Sequence, residues 1–113
     1  METTYNPKDI EVIYKVVGVC FENRQDILAQ FYKDYEFGKK YLVNLRPEND
    51  NQYDSNAIGV WIVVNGIPKH VGYISKDSNA ELRRMLPDLR DCFVNSIGIS
   101  PKGIVGFTIK CVF

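Results

Sequence analysis

Most of the candidate chemistry in this chain is concentrated between Arg46 and Asn56, which reads Arg-Pro-Glu-Asn-Asp-Asn-Gln-Tyr-Asp-Ser-Asn. Glu48, Asp50 and Asp54 lie close together there and offer hard oxygen ligands. The stretch lacks the glycine-centred pattern of a calcium loop, so no metal or other cofactor is expected. Asp54 and Asn56 have two readings. Each can meet a ligand, or each can bond nearby backbone donors and organise the loop. Tyr53 is a large aromatic inside a polar loop, which anchors the loop or binds something.

Other reactive side chains are sparse. His70 is the single histidine. It has no Ser or Cys suggestively placed for a catalytic triad, and a zinc site would lack ligands. Cys20, Cys92 and Cys111 are odd in number, widely spaced and set among apolar residues, which reads as buried reduced thiols. Lys39-Lys40, Lys69-His70 and Arg83-Arg84 read as solvated surface. Trp61 reads as core. No Gly-x-x-x-x-Gly-Lys-Ser/Thr loop for nucleotide phosphates is present.

The elements that must position the polar loop follow from hydropathy patterning. Ile10–Phe21 is rich in β-branched residues and predicts one strand or two short ones, with Gly18 marking a bulge or a close approach. Asn23 can cap a helix over Arg24–Tyr32, with Ile27, Leu28 and Phe31 on one face. Lys40–Leu45 predicts a strand with Tyr41, Val43 and Leu45 on one face. Ala57–Val64 and Ile67–Ile74 predict a hairpin around Asn65-Gly66. Ser78-Asn79-Ala80-Glu81 matches a capping box and predicts a helix over Asn79–Leu86, ended or kinked by Pro87. A second short turn is expected through Asp88–Phe93. Asn95–Ile99 and Ile104–Phe113, joined by Ser100-Pro101-Lys102-Gly103, predict a closing hairpin. Residues 1–9 read as a loose lead-in. The tally is about six strands and two short helices without long parallel crossovers, which predicts a mainly β class: an antiparallel sheet curled into a small barrel.

The 113 residues fit one domain, 45% hydrophobic and 25% charged, an ordinary globular mix. Fourteen basic and fourteen acidic residues cancel. That balance argues against coating long nucleic acid, which needs many phosphates neutralised, but not against a pocket that grips one strand end. Met1–Pro7 show neither a basic nor an apolar leader region, and no apolar run approaches a membrane span, so a cytoplasmic location without membrane contact is expected.

The order of motifs carries more. Val16-Val17-Gly18-Val19-Cys20-Phe21-Glu22-Asn23-Arg24-Gln25, then Arg46-Pro47-Glu48-Asn49, then Tyr53-Asp54-Ser55-Asn56-Ala57-Ile58-Gly59-Val60, then Val71-Gly72-Tyr73-Ile74 together resemble the HIRAN domain signature. The resemblance runs over roughly residues 12–112 of a single 1–113 domain. It implies an OB- or SH3-like β-barrel, stand-alone here, that captures free 3′ ends of single-stranded DNA, in DNA repair or processing, beside a helicase or nuclease partner protein. Asp54 would accept the terminal hydroxyl's proton, and Tyr53 would wall the end or contact its backbone. Tyr73 would stack on or hydrogen-bond the last nucleotide. Lys76 would meet a phosphate, and Phe21 would be a second stacking surface or plain core. Cys20 stands where DNA-end-binding members tend to have a basic residue, and Arg24 is the candidate to compensate. The alternative is a protein–protein interaction module using the same groove. No nucleophile–base pair supports an enzyme.

Overall fold

Asn65 and Gly66 both take the left-handed backbone conformation, at φ 51° and 79°. A two-residue hairpin turn demands this, and Asn and Gly tolerate it. In the computed structural model, which describes residues 9–113, the turn joins β3 (Ile58–Val64) to β4 (Ile67–Ile74). Before this hairpin come β1 (Glu11–Val17), α1 (Arg24–Asp34) and β2 (Val43–Pro47). After it come α2 (Lys76–Met85), a 3-10 turn over Leu86–Asp88, β5 (Asp91–Ile99) and β6 (Val105–Val112). Of the expected lead-in, residues 1–8 lie outside the described residues. Asp9 is not loose: it forms an ion pair with Arg90.

The six strands form one antiparallel sheet in the order β2-β3-β4-β1-β6-β5. β1 changes partner along its length. Glu11 to Lys15 pair with β6, whereas Val16 and Val17 pair with Ile74 and Tyr73 of β4. The change of partner requires a very close approach at Gly72, where a Cβ would stand 2.6 Å from both the Val16 side chain and the Val17 carbonyl. The sheet curls until its two edges meet at a single bridge, Leu42 with Phe93. Val94 N–H donates to the Tyr41 carbonyl there, at 2.9 Å. The mainly β, barrel-like expectation is therefore met, with one correction: the barrel is not closed, because β2 and β5 pair at that point alone.

Alternation sends Ile58, Val60 and Ile62 of β3, and Val105, Phe107, Ile109 and Cys111 of β6, into the core. Leu28 and Phe31 of α1 are buried against it. Each such side chain contributes about 1.5–3 kcal/mol by leaving water. Gln25 fixes the start of α1 to β6 with a reciprocal pair. Its amide donates to the Val105 carbonyl at 2.8 Å, and its carbonyl accepts from Val105 N–H at 2.9 Å.

Several boundaries moved. β1 stops at Val17, and residues 18–23 turn outward, with Gly18 and Glu22 left-handed at φ 69° and 56°. Cys20 is consequently exposed rather than buried. Asn23 stands at the helix start, but its side chain makes no capping bond. The second helix begins three residues earlier than expected, because Ser75, not Ser78, accepts from the Asp77 N–H. Beyond Pro87 the chain makes one 3-10 turn and then extends. Asp91–Phe93 belong to β5, paired with Lys110–Val112, and are not a helical turn. Cys92 and Cys111 are buried opposite one another with sulfurs 3.6 Å apart, free thiols as expected.

Candidate nucleic-acid interface

The polar loop between β2 and β3 is a hydrogen-bonded hook. Glu48 N–H donates to the Ala57 carbonyl at 2.9 Å and closes its neck. The Asn51 amide donates to Glu48 Oε1 at 3.0 Å. The Asn51 side-chain carbonyl accepts from Tyr53 N–H and Asp54 N–H at 2.9 and 3.0 Å. Asp54 Oδ1 accepts from Asn56 N–H at 2.9 Å, and Oδ2 accepts from the buried Asn79 amide of α2 at 2.8 Å. Arg83 of α2 donates to the Ser55 and Ala57 carbonyls and to Asn49. On the far side the Tyr73 hydroxyl donates to both Glu48 oxygens. One loop is thus tied to β4 by Tyr73 and to α2 by Asn79 and Arg83.

The loop-organising role of Asp54 is therefore realised. It does not exhaust the carboxylate, which has about four acceptor positions and uses two. The Asn56 N–H, the Asn79 amide and the nearby Lys76 and Arg83 charges hold its carboxyl below the usual carboxylate range. Asp54 is therefore an ionised, partly exposed acceptor at neutral pH. Tyr53, at 84% exposed, is not packed as an anchor: its backbone belongs to the hook and its ring points to solvent. Lys76 is exposed at the first position of α2. Phe21 is 66% exposed, which removes the core reading and leaves an apolar surface at the β1–α1 turn.

Tyr73 is partly buried against Arg24, the candidate named from the sequence, and against His70, which the sequence did not assign to the site. The Arg24 guanidinium lies 5.2 Å from its ring centre. Arg24 is 7% exposed and donates to the Gly18 carbonyl at 2.7 Å and to Glu22 at 3.1 Å. His70 packs edge-on to Tyr73 at 5.0 Å, and Trp61 stacks on His70 at 5.0 Å with planes 18° apart. Arg46 lies 4.0 Å over the Trp61 ring. Burial and the Glu48 carboxylate raise the Tyr73 hydroxyl's pKa, so it remains a donor. Burial and the Arg24 charge lower that of His70, whose Nε2–H donates to the Gly72 carbonyl at 2.9 Å.

His70 and Tyr73 share one face because of a bulge. Gly59 pairs with Tyr73 and Val60 with Gly72, but Trp61 pairs with His70, so Val71 is an extra residue on β4. Strict alternation would have put two side chains three positions apart on opposite faces. Two surface hollows lie elsewhere. One of about 630 Å³ runs between α1 and the β3–β4 turn, past Phe31, Tyr41 and Lys69. The other, about 570 Å³, is lined by Leu45, Pro47, Arg83 and Leu86 among others. Asp54, Tyr73 and Lys76 line neither of these two hollows. Among the described residues no group of three or more His, Cys, Asp or Glu could hold a metal, and no helix is long and apolar enough to cross a membrane.

Comparison with known proteins matches this arrangement to one family. The model of the HIRAN domain matches residues 10–105. The crystal structure of the HIRAN domain of human HLTF superposes with a TM-score of 0.57 at 18% identity, covering 91% of this chain and 74% of that one. A protein from Lactobacillus plantarum superposes with a TM-score of 0.53 at 24% identity, covering 92% of this chain and 97% of that one. No curated protein matches in sequence. At those identities the two structures speak for the fold. The family match takes in the β1–α1 turn, the loop hook and the β3–β4 hairpin alike, and by it the chain belongs to the HIRAN domain family, a family of DNA-binding modules.

Proposed function

We propose that the chain is a non-enzymatic module that binds single-stranded DNA and takes a free 3′ end at Asp54, in DNA repair or processing. The observation that carries this reading is the hook itself. It presents an ionised carboxylate with spare acceptor capacity between the exposed Tyr53 ring and the exposed Lys76 ammonium. A terminal hydroxyl needs such an acceptor, and a charge-assisted bond to it is short and strong. A phosphate one step away needs a cation, which Lys76 supplies. Unstacked bases need apolar planes, which Tyr53 and Phe21 offer. Arg24, the candidate to compensate for Cys20, is buried against Tyr73, bonded to the Gly18 carbonyl and paired with Glu22.

The test is binding of a short labelled single strand with a free 3′-hydroxyl against the same strand with a 3′-phosphate. The free end is expected to bind about 10-fold tighter or more, the worth of one charge-assisted hydrogen bond. Equal affinities would refute end capture while leaving DNA binding intact. A second reading, protein–protein interaction, is favoured by the hollow beside α1. It is partly apolar, and the neighbouring Phe37 is 97% exposed. Absence of oligonucleotide binding at both low and moderate salt would favour it.

A further inference from the structure

The outer face of β2, β3 and β4 carries an ordered stack that end capture at Asp54 does not use. Arg46, Gly59 and Tyr73 form one cross-strand row, and Asn44, Trp61 and His70 form the next. Within these rows three planar groups stand in series. His70, from β4, stacks on Trp61 at 5.0 Å and nearly parallel, and the Arg46 guanidinium, from β2 on the other side of β3, lies 4.0 Å from the Trp61 ring centre. The His70 end of the series abuts the Tyr73 ring edge-on. The Arg46 end is exposed. Among the described residues Arg46 makes no ion pair, and its guanidinium lies over Trp61.

Gly59 opens the gap between Arg46 and Tyr73. With no side chain there, the Glu48 carboxylate, Trp61 Nε1 and His70 Nε2 converge to within 3.2, 3.3 and 3.4 Å of where a Cβ would stand. Trp61 Nε1 is buried and has no hydrogen-bond partner among the described residues. A carboxylate at this point repels phosphate. A strand crossing the row would turn its bases, not its backbone, toward the sheet.

We infer that Arg46, held over the Trp61 ring, is a second nucleotide contact, stacking a base adjacent to the terminal nucleotide. A guanidinium plane is a good surface for a base and adds a cation–π component. The inference rests on the reading that the chain binds single-stranded DNA at Asp54 and Tyr73. Neighbouring strands lie about 4.8 Å apart, so Arg46 and Tyr73, two strands apart, are separated by about 10 Å, within the reach of adjacent nucleotides in an extended strand.

Trp61 is the sole tryptophan, so its fluorescence reports on the stack directly. The experiment titrates the protein with a six-thymidine strand bearing a free 3′-hydroxyl, reading Trp61 emission and, in parallel, the anisotropy of a labelled strand. The six-mer is expected to change Trp61 emission. Arg46→Ala is expected to weaken it about 5- to 100-fold, the worth of one stacked base. An abasic unit next to the 3′ nucleotide should cause a similar loss on the wild type and little further loss on Arg46→Ala. Arg46→Lys should remain weakened, because it keeps the charge and loses the plane. Circular dichroism melts establish that each variant is folded. Full affinity in Arg46→Lys would overturn stacking in favour of a simple phosphate contact. Tight six-mer binding with unchanged Trp61 emission and an unaffected Arg46→Ala would overturn the inference while end capture stands. A 3′-phosphorylated six-mer that binds as well as the free one, yet loses the same factor on Arg46→Ala, would support the second contact and sink end capture. If no oligonucleotide binds, both fall.

Discussion

The Tyr73 hydroxyl donates to both carboxylate oxygens of Glu48, at 3.0 and 3.1 Å, across 25 residues of sequence. Through Asn51 this contact links β4 to the backbone of Tyr53 and Asp54. Tyr73→Phe keeps the ring beside Arg24 and His70 and removes the tie. A hydrogen bond to a charged group in a partly exposed setting is worth about 1–2 kcal/mol. The unfolding free energy from urea titration should fall by that amount, and the preference for a free 3′-hydroxyl should shrink as the hook loosens. Tyr73→Ala should in addition lose ring contact with DNA.

Asp54→Asn tests the acceptor itself. The amide cannot replace both accepted bonds from Asn56 and Asn79 as well as a third from a terminal hydroxyl. Discrimination between free and blocked 3′ ends, measured by competition binding, should drop by about 10-fold or more. Because the carboxyl titrates below the usual carboxylate range, wild-type discrimination should be flat from pH 5 to 8. It should be lost only as the pH falls through that depressed value.

His70 should make the fold pH-sensitive in a window above any carboxylate. Burial and the Arg24 charge lower its pKa from 6.5. The unfolded chain therefore takes up the proton first. The stability that neutral His70 contributes is fully present above about pH 6.5 and is lost as the pH falls from there through the folded value. Unfolding free energies from urea titrations at pH 7.5, 6.5 and 5.5 should decline in that order, with a slope below the about 1.4 kcal/mol per pH unit of one full proton. His70→Gln should flatten the decline.

Gly72→Ala should destabilise the protein by about 1–3 kcal/mol, the usual cost of overpacking. The new methyl would meet the Val17 carbonyl at 2.6 Å, and that atom is backbone and cannot swing aside. Gly106→Ala, where a Cβ meets nothing within 4 Å, is the matched control.

One thiol in the native protein should react rapidly with a disulfide reagent, and three should react after unfolding. Cys20 is exposed, whereas Cys92 and Cys111 are buried face to face, and that pairing and burial keep the Cys92 thiol protonated. Cys20→Ser should remove the fast phase.

The elements whose instructions are local were legible in the sequence. Asn65-Gly66 dictates its own turn, and the apolar runs on either side place β3 and β4 within a residue of their observed limits. The order of the Tyr53–Ile58 and Val71–Ile74 segments was enough to suggest the family. Faces and partners were not legible. Ile58–Val64 is apolar on both sides, so nothing local says that Trp61 looks outward while Val60 and Ile62 look in. His70 and Tyr73 share a face only through the bulge at Val71. Ser75 and Ser78 are both plausible caps. Placing the helix start at Ser75 puts Asn79 in the buried position from which it reaches Asp54. Arg24 and Glu48 were visible as charges, but their roles depend on chain segments far away in sequence. The sequence carried the fold and the residue types of the site. Only the tertiary structure decided which of them meet, because bulges, caps and cross-strand rows are set by long-range pairing that no local pattern contains.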